Sequence, residues 1–205
     1  MKINELLYRT YLLPRRLKIR FFIYWNKIIF TLAGISFGRN MKAFNRIYVR
    51  VVRGGNVTIG EYFTFTSGDF INPICRNLRG GVFCGPNARI FIGNHVGISS
   101  ACLWASSGIR IGNNVNIGGD CLIMDTDAHS LDCNIRRTPQ DCKYAAKAPI
   151  VIEEDVLIGA KCIILKGVTI GARSVIGAGS VVTKSIPPDS IAAGNPCKVI
   201  RTLSY

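Results

Sequence analysis

The sequence predicts a mainly β protein in which short strands and tight turns build a stack of parallel coils, that is, a parallel β-helix. Two observations carry this prediction: branched aliphatic residues recur every six positions over the C-terminal half, and glycines repeatedly follow them. An amphipathic helix has a period of 3.6 residues and a half-buried strand a period of 2, so a period of six fits neither alone. It fits a short strand plus a turn, three of which make one coil.

The clearest repeat runs over residues 150–185 in consecutive blocks of six, IVIEED, VLIGAK, CIILKG, VTIGAR, SVIGAG and SVVTKS. A single coil cannot bury its apolar edge, whereas stacked coils share one core and pair each strand with the coils above and below. The strands of such a stack are parallel. The third position of every block is therefore expected to point into the core: Ile152, Ile158, Ile164, Ile170, Ile176 and Val182.

Less regular copies of the repeat lie upstream. VTIGEY at 57–62 reads as an isolated first copy. Two further groups are each spaced by six and are one residue out of phase with each other: Ile92, Ile98 and Trp104, then Ile111, Ile117 and Ile123. We therefore expect the β-helix to occupy residues 55–186.

Two segments break the repeat. Residues 124–148 are polar and aperiodic and predict a long loop between coils, and loops of this length are usually functional or disordered. The tail, residues 187–205, is expected to leave the coils at Pro187–Pro188, with residues 197–203 closing the open edge of the last coil.

The formal net charge of +14 is concentrated at one end, because twelve of the 26 basic residues but only one of the 12 acidic ones lie in residues 1–53. The apolar stretch 21–37 is interrupted by Asn26 and Lys27 and is shorter than the roughly 20 residues of a membrane span. No secretory cleavage site follows it. Residues 1–54 therefore predict a basic amphipathic helical segment.

Two interpretations of this segment stay open. It can lie in the plane of an anionic membrane, or it can cap the open N-terminal end of the coil stack. Nucleic-acid binding is disfavoured, because the segment carries no recognised binding motif.

The eight cysteines show no CxxC pair and no Cys/His cluster at zinc-ligand spacing. We interpret them as reduced and mostly buried in a cytosolic protein, with Cys121 and Cys162 as small apolar fillers of repeat positions. A nucleophilic role for Cys84 or Cys102 is disfavoured, since neither has a histidine partner in a readable motif.

The segment IGAGSVVTKSIPPDSIAAGNPCKVIR, residues 176–201, closely resembles the C-terminal signature of hexapeptide-repeat acetyltransferases. It looks most like the maltose/galactoside and polysaccharide O-acetyltransferase branch, and the likeness extends over roughly residues 90–201. This resemblance implies a left-handed β-helix, acetyl-CoA as co-substrate without a metal, and a homotrimer with sites between neighbouring subunits.

The resemblance also implies roles for individual residues. His129, in the DTDAHSLD segment of the long loop, matches the catalytic base. Apart from the resemblance, Asp127 is our first candidate to orient or polarise the imidazole, with Asp125 as a second. Ser99 and Ser100 are candidates for the acceptor pocket. Five positions match contacts to acetyl-CoA, small ones beside the pantetheine arm and basic ones near the phosphates: Ala160, Ala178, Thr183, Lys198 and Arg201.

Some positions depart from the family pattern. An acceptor-contacting Asn is replaced by Ser99, a Trp of the pantetheine channel by Leu157, and a Pro after the catalytic His by Ser130. These changes leave the donor and the reaction intact but do not identify the acceptor sugar. The second histidine, His95, occupies the turn position that Asn114 and Asp155 fill in other coils, so a structural role is expected.

The resulting expectation is a cytoplasmic O-acetyltransferase that moves acetyl from acetyl-CoA to a hydroxyl of a bacterial surface-polysaccharide sugar or its precursor, with peripheral contact to the inner membrane face. His129 would deprotonate the hydroxyl. The alternatives are N-acetylation of an amino sugar and a non-catalytic β-helix scaffold. A carbonic-anhydrase-like metal site on this fold would need three histidines, and the chain has two.

Overall fold

The computed structural model describes residues 3–68, 71–75 and 77–204, so residues 1, 2 and 205 of the predicted terminal segments lie outside the described residues. The chain begins with two helices, α1 (Ile3–Tyr11) and α2 (Leu13–Leu32). Pro14 lies in the first turn of α2, where a backbone N–H would have no hydrogen-bond partner within the helix, so the proline disrupts no helical hydrogen bond. The helix ends where Gly34 adopts a φ of +73° and Ile35 N–H donates to the Phe30 carbonyl at 2.9 Å.

Three sheets of short strands follow, and each coil contributes one strand to each sheet. The first sheet contains β1 (Ser36–Phe37), β4 (Asn56–Ile59), β7 (Arg89–Ile92), β10 (Gly108–Ile111), β13 (Ile150–Ile152) and β16 (Thr169–Ile170). The second contains β2 (Lys42–Phe44), β5 (Thr64–Thr66), β8 (Gly97–Ser99), β11 (Asn116–Ile117), β14 (Leu157–Ile158), β17 (Val175–Ile176), β19 (Ser190–Ala193) and β20 (Lys198–Thr202). The third contains β3 (Tyr48–Val51), β6 (Gly81–Cys84), β9 (Cys102–Ala105), β12 (Leu122–Met124), β15 (Ile163–Leu165) and β18 (Val181–Val182).

The core is a column of inward aliphatic side chains enclosed by the three sheets. All six residues predicted from the third repeat position are at most 1% exposed, which confirms the period-six prediction. Neighbouring strands pair in parallel, as predicted, except that β20 pairs antiparallel with β19. Cys121 and Cys162 are buried free thiols within this core, also as predicted.

Trp104 is not an inward residue, contrary to the prediction. Its side chain is 38% exposed, whereas Leu103 is fully buried and pairs with the inward Ile123. The corner between β8 and β9 is one residue shorter than the repeat, and a one-residue shift moves each side chain to the opposite face of its strand. The next corner, between β9 and β10, is two residues longer than the repeat, so Ile111 pairs with Ile92 at a separation of 19 residues and the two upstream groups are out of phase.

The coils begin earlier and end later than the sequence indicates. The strands β1, β2 and β3 form a complete coil over residues 36–51, inside the segment 1–54 and before VTIGEY. At the other end the coils do not stop at Pro187–Pro188, because β19 continues the second sheet by pairing with β17. Residues 198–202 then cover the edge of β19.

Helix α2 packs on the first coil. Asn26 is 1% exposed and donates from Nδ2 to the carbonyls of Ala43 and Asn45, at 2.9 and 2.7 Å. Phe30, one turn later, is fully buried. One face of α2 therefore covers the first coil, while the opposite face is exposed. No described helix has both the length and the hydropathy of a membrane span.

Two loops leave the coils. The predicted loop lies between β12 and β13 and contains the short helix α3 (Cys133–Arg136) and a 3-10 turn, Asp141–Tyr144. A second loop, between β5 and β6, was not evident from the repeat and contains a 3-10 turn at Pro73–Cys75. The Ser67 hydroxyl connects the two ends of this second loop and the first coil, because it accepts a hydrogen bond from Gly80 N–H at 3.0 Å and donates one to the Arg46 carbonyl at 2.8 Å.

Candidate active site

The base of the long loop is held rigidly at the corner between the third and first sheets. Asp125 is fully buried, and its carboxylate accepts the backbone N–H groups of Ser106, Ser107 and Gly108 at 2.6, 2.7 and 2.5 Å. These bonds anchor the loop to the corner of the coil below, which makes Asp125 a structural residue. The two ends of the loop also pair with each other, since Asp127 N–H donates to the Ala146 carbonyl at 2.9 Å.

A tight turn then projects His129 outward. Ala128 has a φ of +61°, an uncommon conformation for a residue with a Cβ, and His129 N–H donates to the Asp127 carbonyl at 2.7 Å. The His129 side chain is 64% exposed.

The imidazole of His129 is oriented by Asp141. The distance from His129 Nδ1 to Asp141 Oδ2 is 2.5 Å, and Asp141 Oδ1 accepts Ser130 N–H at 2.7 Å. The hydrogen bond from His129, followed by that from Ser130, lowers the pKa of Asp141 below its usual 3.8. An ionised carboxylate only accepts hydrogen bonds, so Nδ1 is the donor and Nε2 keeps its lone pair for an incoming proton.

Asp127, the residue predicted to orient His129, has a different partner. Its Oδ1 accepts a hydrogen bond from Lys166 Nζ at 2.6 Å. Lys166 directly follows β15, the strand that lies one coil above β12. His129 is hydrogen-bonded to the main chain of Asp127 through the turn at Ala128, and to the side chain of Asp141. Asp141 was missed because it lies twelve residues beyond the histidine in an aperiodic loop, where no spacing distinguishes it from the other loop aspartates.

The structural role predicted for the second histidine, His95, is consistent with the structure. His95, Asn114 and Asp155 have φ values of 57°, 57° and 59°, so they share one strained turn position in successive coils. The His95 ring stacks on that of Tyr62, with ring centres 4.7 Å apart. His95 thus has a structural environment within the described chain.

Ala160 and Ala178 lie at the corner between the second and third sheets, in a column that we call the small-residue edge. It consists of Gly118, Gly159, Ala160, Gly177, Ala178 and Ala193. Successive coils touch here, because a Cβ on Gly159 would lie 2.5 Å from Ala178 N. The edge therefore presents backbone with almost no side chains.

Lys198 and Ser99 lie at opposite ends of the small-residue edge. At the upper end, Lys198 is exposed and lies opposite Ala193 in the strand pairing. At the lower end, Ser99 lies one coil below Gly118, because the residues that precede them, Ile98 and Ile117, are paired. Ser99 is half-buried, and its hydroxyl lies 3.2 Å from that of Thr66 and 3.3 Å from Asn72 Nδ2. A ligand lying along this edge would thus have a cation at one end and a hydroxyl at the other.

The other predicted site residues lie elsewhere. Ser100 is 5% exposed and accepts Gly68 N–H at 3.0 Å, so its hydroxyl holds the second loop and is not open to a substrate. Arg201 is exposed on β20 opposite Ile191. Thr183 directly follows β18, two strands above β12, and so lies at the same corner as the loop that carries His129. The structure thus places Ala160, Ala178 and Lys198 at one corner and His129 and Thr183 at another.

One group of side chains has the donor types of a metal site. His129, Asp141 and Cys142 can each offer a ligand atom within 4.8 Å of the others. The Asp141 carboxylate is, however, already held by His129 and Ser130, and His129 and Cys142 are exposed. This arrangement fits a hydrogen-bonded catalytic pair better than a closed metal site.

Known proteins resemble this chain in its repeat and in its fold. The family model described as the hexapeptide repeat of succinyl-transferase matches residues 149–184. The galactoside O-acetyltransferase of Escherichia coli is 43% identical over 96 residues, which are 47% of this chain and 45% of that protein. In this region the chain is similar to the hexapeptide-repeat acetyltransferases.

This hexapeptide-repeat protein spans about half of the length of the curated relatives it matches, 44% to 55% among the first of them. Among solved structures, a hexapeptide-repeat acetyltransferase of Vibrio cholerae complexed with acetyl-CoA is 28% identical, with a TM-score of 0.53 and coverage of 86% of this chain and 74% of that one. AntD, an N-acyltransferase of Bacillus cereus in complex with dTDP and 3-hydroxybutyryl-CoA, has a TM-score of 0.68 at 18% identity, covering 87% of this chain and 88% of AntD. Together they confirm the parallel β-helix that the repeat predicted and the left-handed twist that the resemblance implied.

Proposed function

We propose that this protein is an acetyl-CoA-dependent O-acetyltransferase that acts on a sugar hydroxyl of a bacterial surface polysaccharide or its precursor. The observation that carries the proposal is the His129–Asp141 pair, 2.5 Å apart, on a rigidly anchored loop. The relatives support it, since one is named a galactoside O-acetyltransferase and another was solved with acetyl-CoA.

In the proposed reaction, Nε2 of His129 takes the proton of the acceptor hydroxyl while its oxygen attacks the thioester carbonyl. The tetrahedral intermediate collapses with cleavage of the C–S bond, and the thiolate of coenzyme A leaves and recovers the proton from the imidazolium. Asp141 stabilises that imidazolium, because its carboxylate is ionised. A positioned base contributes a factor of about 10²–10⁴ in rate, and holding both substrates in place contributes several kcal/mol more.

The reaction needs neither a metal nor a covalent enzyme intermediate. Burial raises the pKa values of the Cys84 and Cys102 thiols, which disfavours the thiolate that a nucleophile requires. Direct attack of the hydroxyl on the thioester is therefore the simplest mechanism that the described residues support.

The donor would lie along the small-residue edge. From β8 to β20 the edge crosses five inter-strand spacings of about 4.8 Å each, which suits an extended coenzyme A. Exposed backbone lets the pantetheine arm approach closely, and Lys198 at the upper end can meet the phosphates, with Arg201 on the same strand. The thioester would then lie near Ser99 at the lower end, where the acceptor would bind.

A complete site requires more than one copy of the chain. The small-residue edge and the His129 loop lie at the two corners that flank the third sheet, so one chain separates donor and base by the width of that sheet. A homotrimer, in which the His129 corner of one copy meets the small-residue edge of the next, would complete three equivalent sites. Thr183, at the His129 corner, would then contact the donor bound to the neighbouring copy.

The exposed face of α2 supports peripheral contact with an anionic membrane on the cytoplasmic side. Six large apolar residues that are 50% to 79% exposed are spaced by three or four and so form one stripe: Leu13, Leu17, Phe21, Tyr24, Ile28 and Leu32. By helical geometry, Arg16, Arg20 and Lys27 flank this stripe. An apolar stripe with basic flanks is typical of helices that lie in the membrane plane. The other face of α2 meanwhile caps the coils.

N-acetylation of an amino sugar is less well supported. Recognition of the ammonium group of an amino sugar would need a carboxylate near His129 that does not already form an ion pair with another cation. Asp127 is paired with Lys166 and Asp141 with His129, so neither is left for this purpose. AntD is named an N-acyltransferase, but its likeness to this chain concerns the fold.

Product chemistry tests the proposal. The protein would be incubated with acetyl-CoA and with matched pairs of hexoses and amino hexoses, free and glycosidically linked, and the products analysed by mass spectrometry before and after mild alkali. We expect an added acetyl group that alkali removes, as an ester requires. An alkali-stable acetyl group formed only on the amino sugars would overturn O-acetylation in favour of an amide product.

A further inference from the structure

The second loop extends along the corner that carries the small-residue edge. It leaves β5 and returns to β6, so its base lies between the second and third sheets. Cys75 is fully buried, and a Cβ on Gly119 would lie 2.8 Å from its Sγ and 3.1 Å from Ile74 Cγ2. Gly119 follows β11, which lies two strands above β5 in the second sheet. The loop therefore reaches two coils upward and packs closely against the lower end of the edge.

Hydrogen bonds fix the second loop to the coil above its base. Asn72 Oδ1 accepts Ile74 N–H at 3.1 Å, and Asn72 Nδ2 donates to the Ser99 hydroxyl at 3.3 Å. Gly68 N–H donates to the Leu78 carbonyl at 2.8 Å, which connects the two sides of the loop. The loop thus has a defined shape and position beside Ser99, the residue predicted to contact the acceptor.

A cavity of about 390 Å³ lies between the second loop and the corner beside it. The loop contributes Ile74, Asn77 and Leu78, and the corner contributes Asp120 and Lys161. Ile74 and Leu78 are 56% and 44% exposed, so the loop presents apolar surface to the cavity next to the polar groups. Cavities of this size hold one small molecule. Apolar surface beside hydrogen-bonding groups suits a sugar ring, which carries both C–H groups and hydroxyls.

Asp120 and Lys161 give the cavity two opposite charges. They occupy the same position in successive coils, each with a φ of 61°, and Lys161 N–H donates to the Gly119 carbonyl at 2.7 Å. Both side chains are exposed, and neither forms an ion pair or a side-chain hydrogen bond with another described residue. The carboxylate and the ammonium are therefore available to a ligand's hydroxyls. Because their charges cancel, the cavity favours a neutral ligand over a cationic or an anionic one.

In the homotrimer proposed above, this cavity would face the His129 loop of the next copy. Rotation about an axis parallel to the coil stack keeps equivalent coils at the same height. Asp120 lies on the same coil as β12, the strand that leads into the His129 loop. The cavity of one copy and His129 of the next would therefore lie at the same height, beside the lower end of the small-residue edge, where the thioester is expected.

We propose that this cavity binds one neutral sugar ring of the acceptor, and that the second loop is the element that selects it. This inference rests on the proposed function and names its acceptor class. Asp120 can accept hydrogen bonds from two hydroxyls, while Asn77 and Lys161 can donate to the ring's oxygens. Ile74 and Leu78 would face the C–H groups of the same ring. A uronic acid would meet the carboxylate of Asp120, and an amino sugar the ammonium of Lys161, so each charged sugar faces a like charge.

Ligand-observed NMR measures this binding directly and without turnover. The protein, saturated with coenzyme A, would be titrated with methyl glucoside, methyl galactoside and the matched methyl glycosides of glucosamine and glucuronic acid. We expect saturable binding of at least one neutral glycoside and weaker binding of both charged types. Asp120→Asn/Asn77→Ala should raise the Kd of the neutral glycoside about tenfold. Lys161→Asn, which leaves only the carboxylate, should shift the preference toward the glucosamine glycoside.

The control is Glu154→Gln, which neutralises an exposed carboxylate at the corner between the first and second sheets. Circular dichroism and thermal melting establish that the variants fold. Unchanged affinity in Asp120→Asn/Asn77→Ala, an equal loss in the control, or no saturable binding of a neutral glycoside to the wild type would overturn the proposal.

Two results separate this proposal from the proposed function. His129→Ala should lose acetyl transfer and still bind the neutral glycoside as the wild type does. Acetyl transfer with an acceptor KM that Asp120→Asn/Asn77→Ala leaves unchanged would overturn the role of the cavity while O-acetylation stands.

Discussion

The imidazole of His129 and the carboxylate of Asp141 form a hydrogen-bonded pair, with Nδ1 and Oδ2 2.5 Å apart. The pair spans the long loop, because His129 follows its first turn and Asp141 begins the 3-10 turn near its end. Nε2 of His129 is thereby directed away from Asp141. This is the arrangement of an imidazole that is oriented and stabilised in its protonated form by one carboxylate.

Replacement of Asp141 should impair catalysis more than folding. In Asp141→Asn the amide oxygen can still accept Ser130 N–H, but the negative charge that stabilises the imidazolium is lost. We expect kcat to fall by about 10²–10⁴-fold, which steady-state kinetics measure. Asp127→Asn, which breaks only the pair with Lys166, serves as control, and an equal loss there would argue against the assigned role of Asp141.

The pair of Arg173 with Asp189 predicts a pH-dependent part of the stability. Hydrogen bonding to Arg173 lowers the pKa of Asp189 below 3.8, so the folded pKa lies under the unfolded one. The stabilisation is then fully present above the unfolded value and is lost as the pH falls through the folded value. Asp189→Asn should melt earlier than the wild type at pH 7. The two melting temperatures should converge in strong acid, and a constant gap at all pH values would contradict this account.

The small-residue edge should not tolerate an added methyl group. A Cβ on Gly159 would lie 2.5 Å from Ala178 N, so Gly159→Ala forces the neighbouring coil to shift. We expect a loss of about 1–3 kcal/mol in the free energy of unfolding, measured by urea denaturation. Gly108→Ala is the matched control, because its new Cβ would meet its nearest neighbour at 3.6 Å. Equal stability of the two variants would show that the coils do not touch at Gly159.

The sequence determined the repetitive part of the fold and little of the irregular part. Ile158 and Ile164 were assigned to the core from period six alone, because every regular coil repeats the same inward position. The first coil was missed because its buried residues include Met41 and Ala43, which carry no period-six pattern of branched aliphatics. Trp104 was misplaced because one corner is a residue short.

In the candidate site, too, residues in regular or recognisable segments could be predicted, and residues in irregular segments could not. His129, Ala160 and Ala178 could be proposed because they match positions of a recognisable family motif. Asp141 could not, since its contact with His129 depends on how an aperiodic loop folds back on itself.

The stripe on α2 predicts binding to anionic membranes. In Leu17→Ser/Phe21→Ser two of its exposed apolar residues become polar without touching the buried face of the helix. We expect the wild type to float with vesicles that contain phosphatidylglycerol and not with neutral vesicles, and the variant to remain unbound. Phe91→Ser, which removes an exposed aromatic residue from the first sheet, should bind as the wild type does. Flotation of the α2 variant to the same extent as the wild type would exclude this face.

The most direct test of the central claim is acceptor-dependent release of coenzyme A thiol from acetyl-CoA by the wild type, His129→Ala and His95→Ala. His95 is the matched control, because it is the only other histidine and stacks on Tyr62 in a coil corner. We predict that His129→Ala loses at least about 10²-fold in rate, the contribution of a positioned base, while His95→Ala keeps near wild-type turnover. Undiminished acetyl transfer by a folded His129→Ala would contradict the assignment of His129 as the catalytic base.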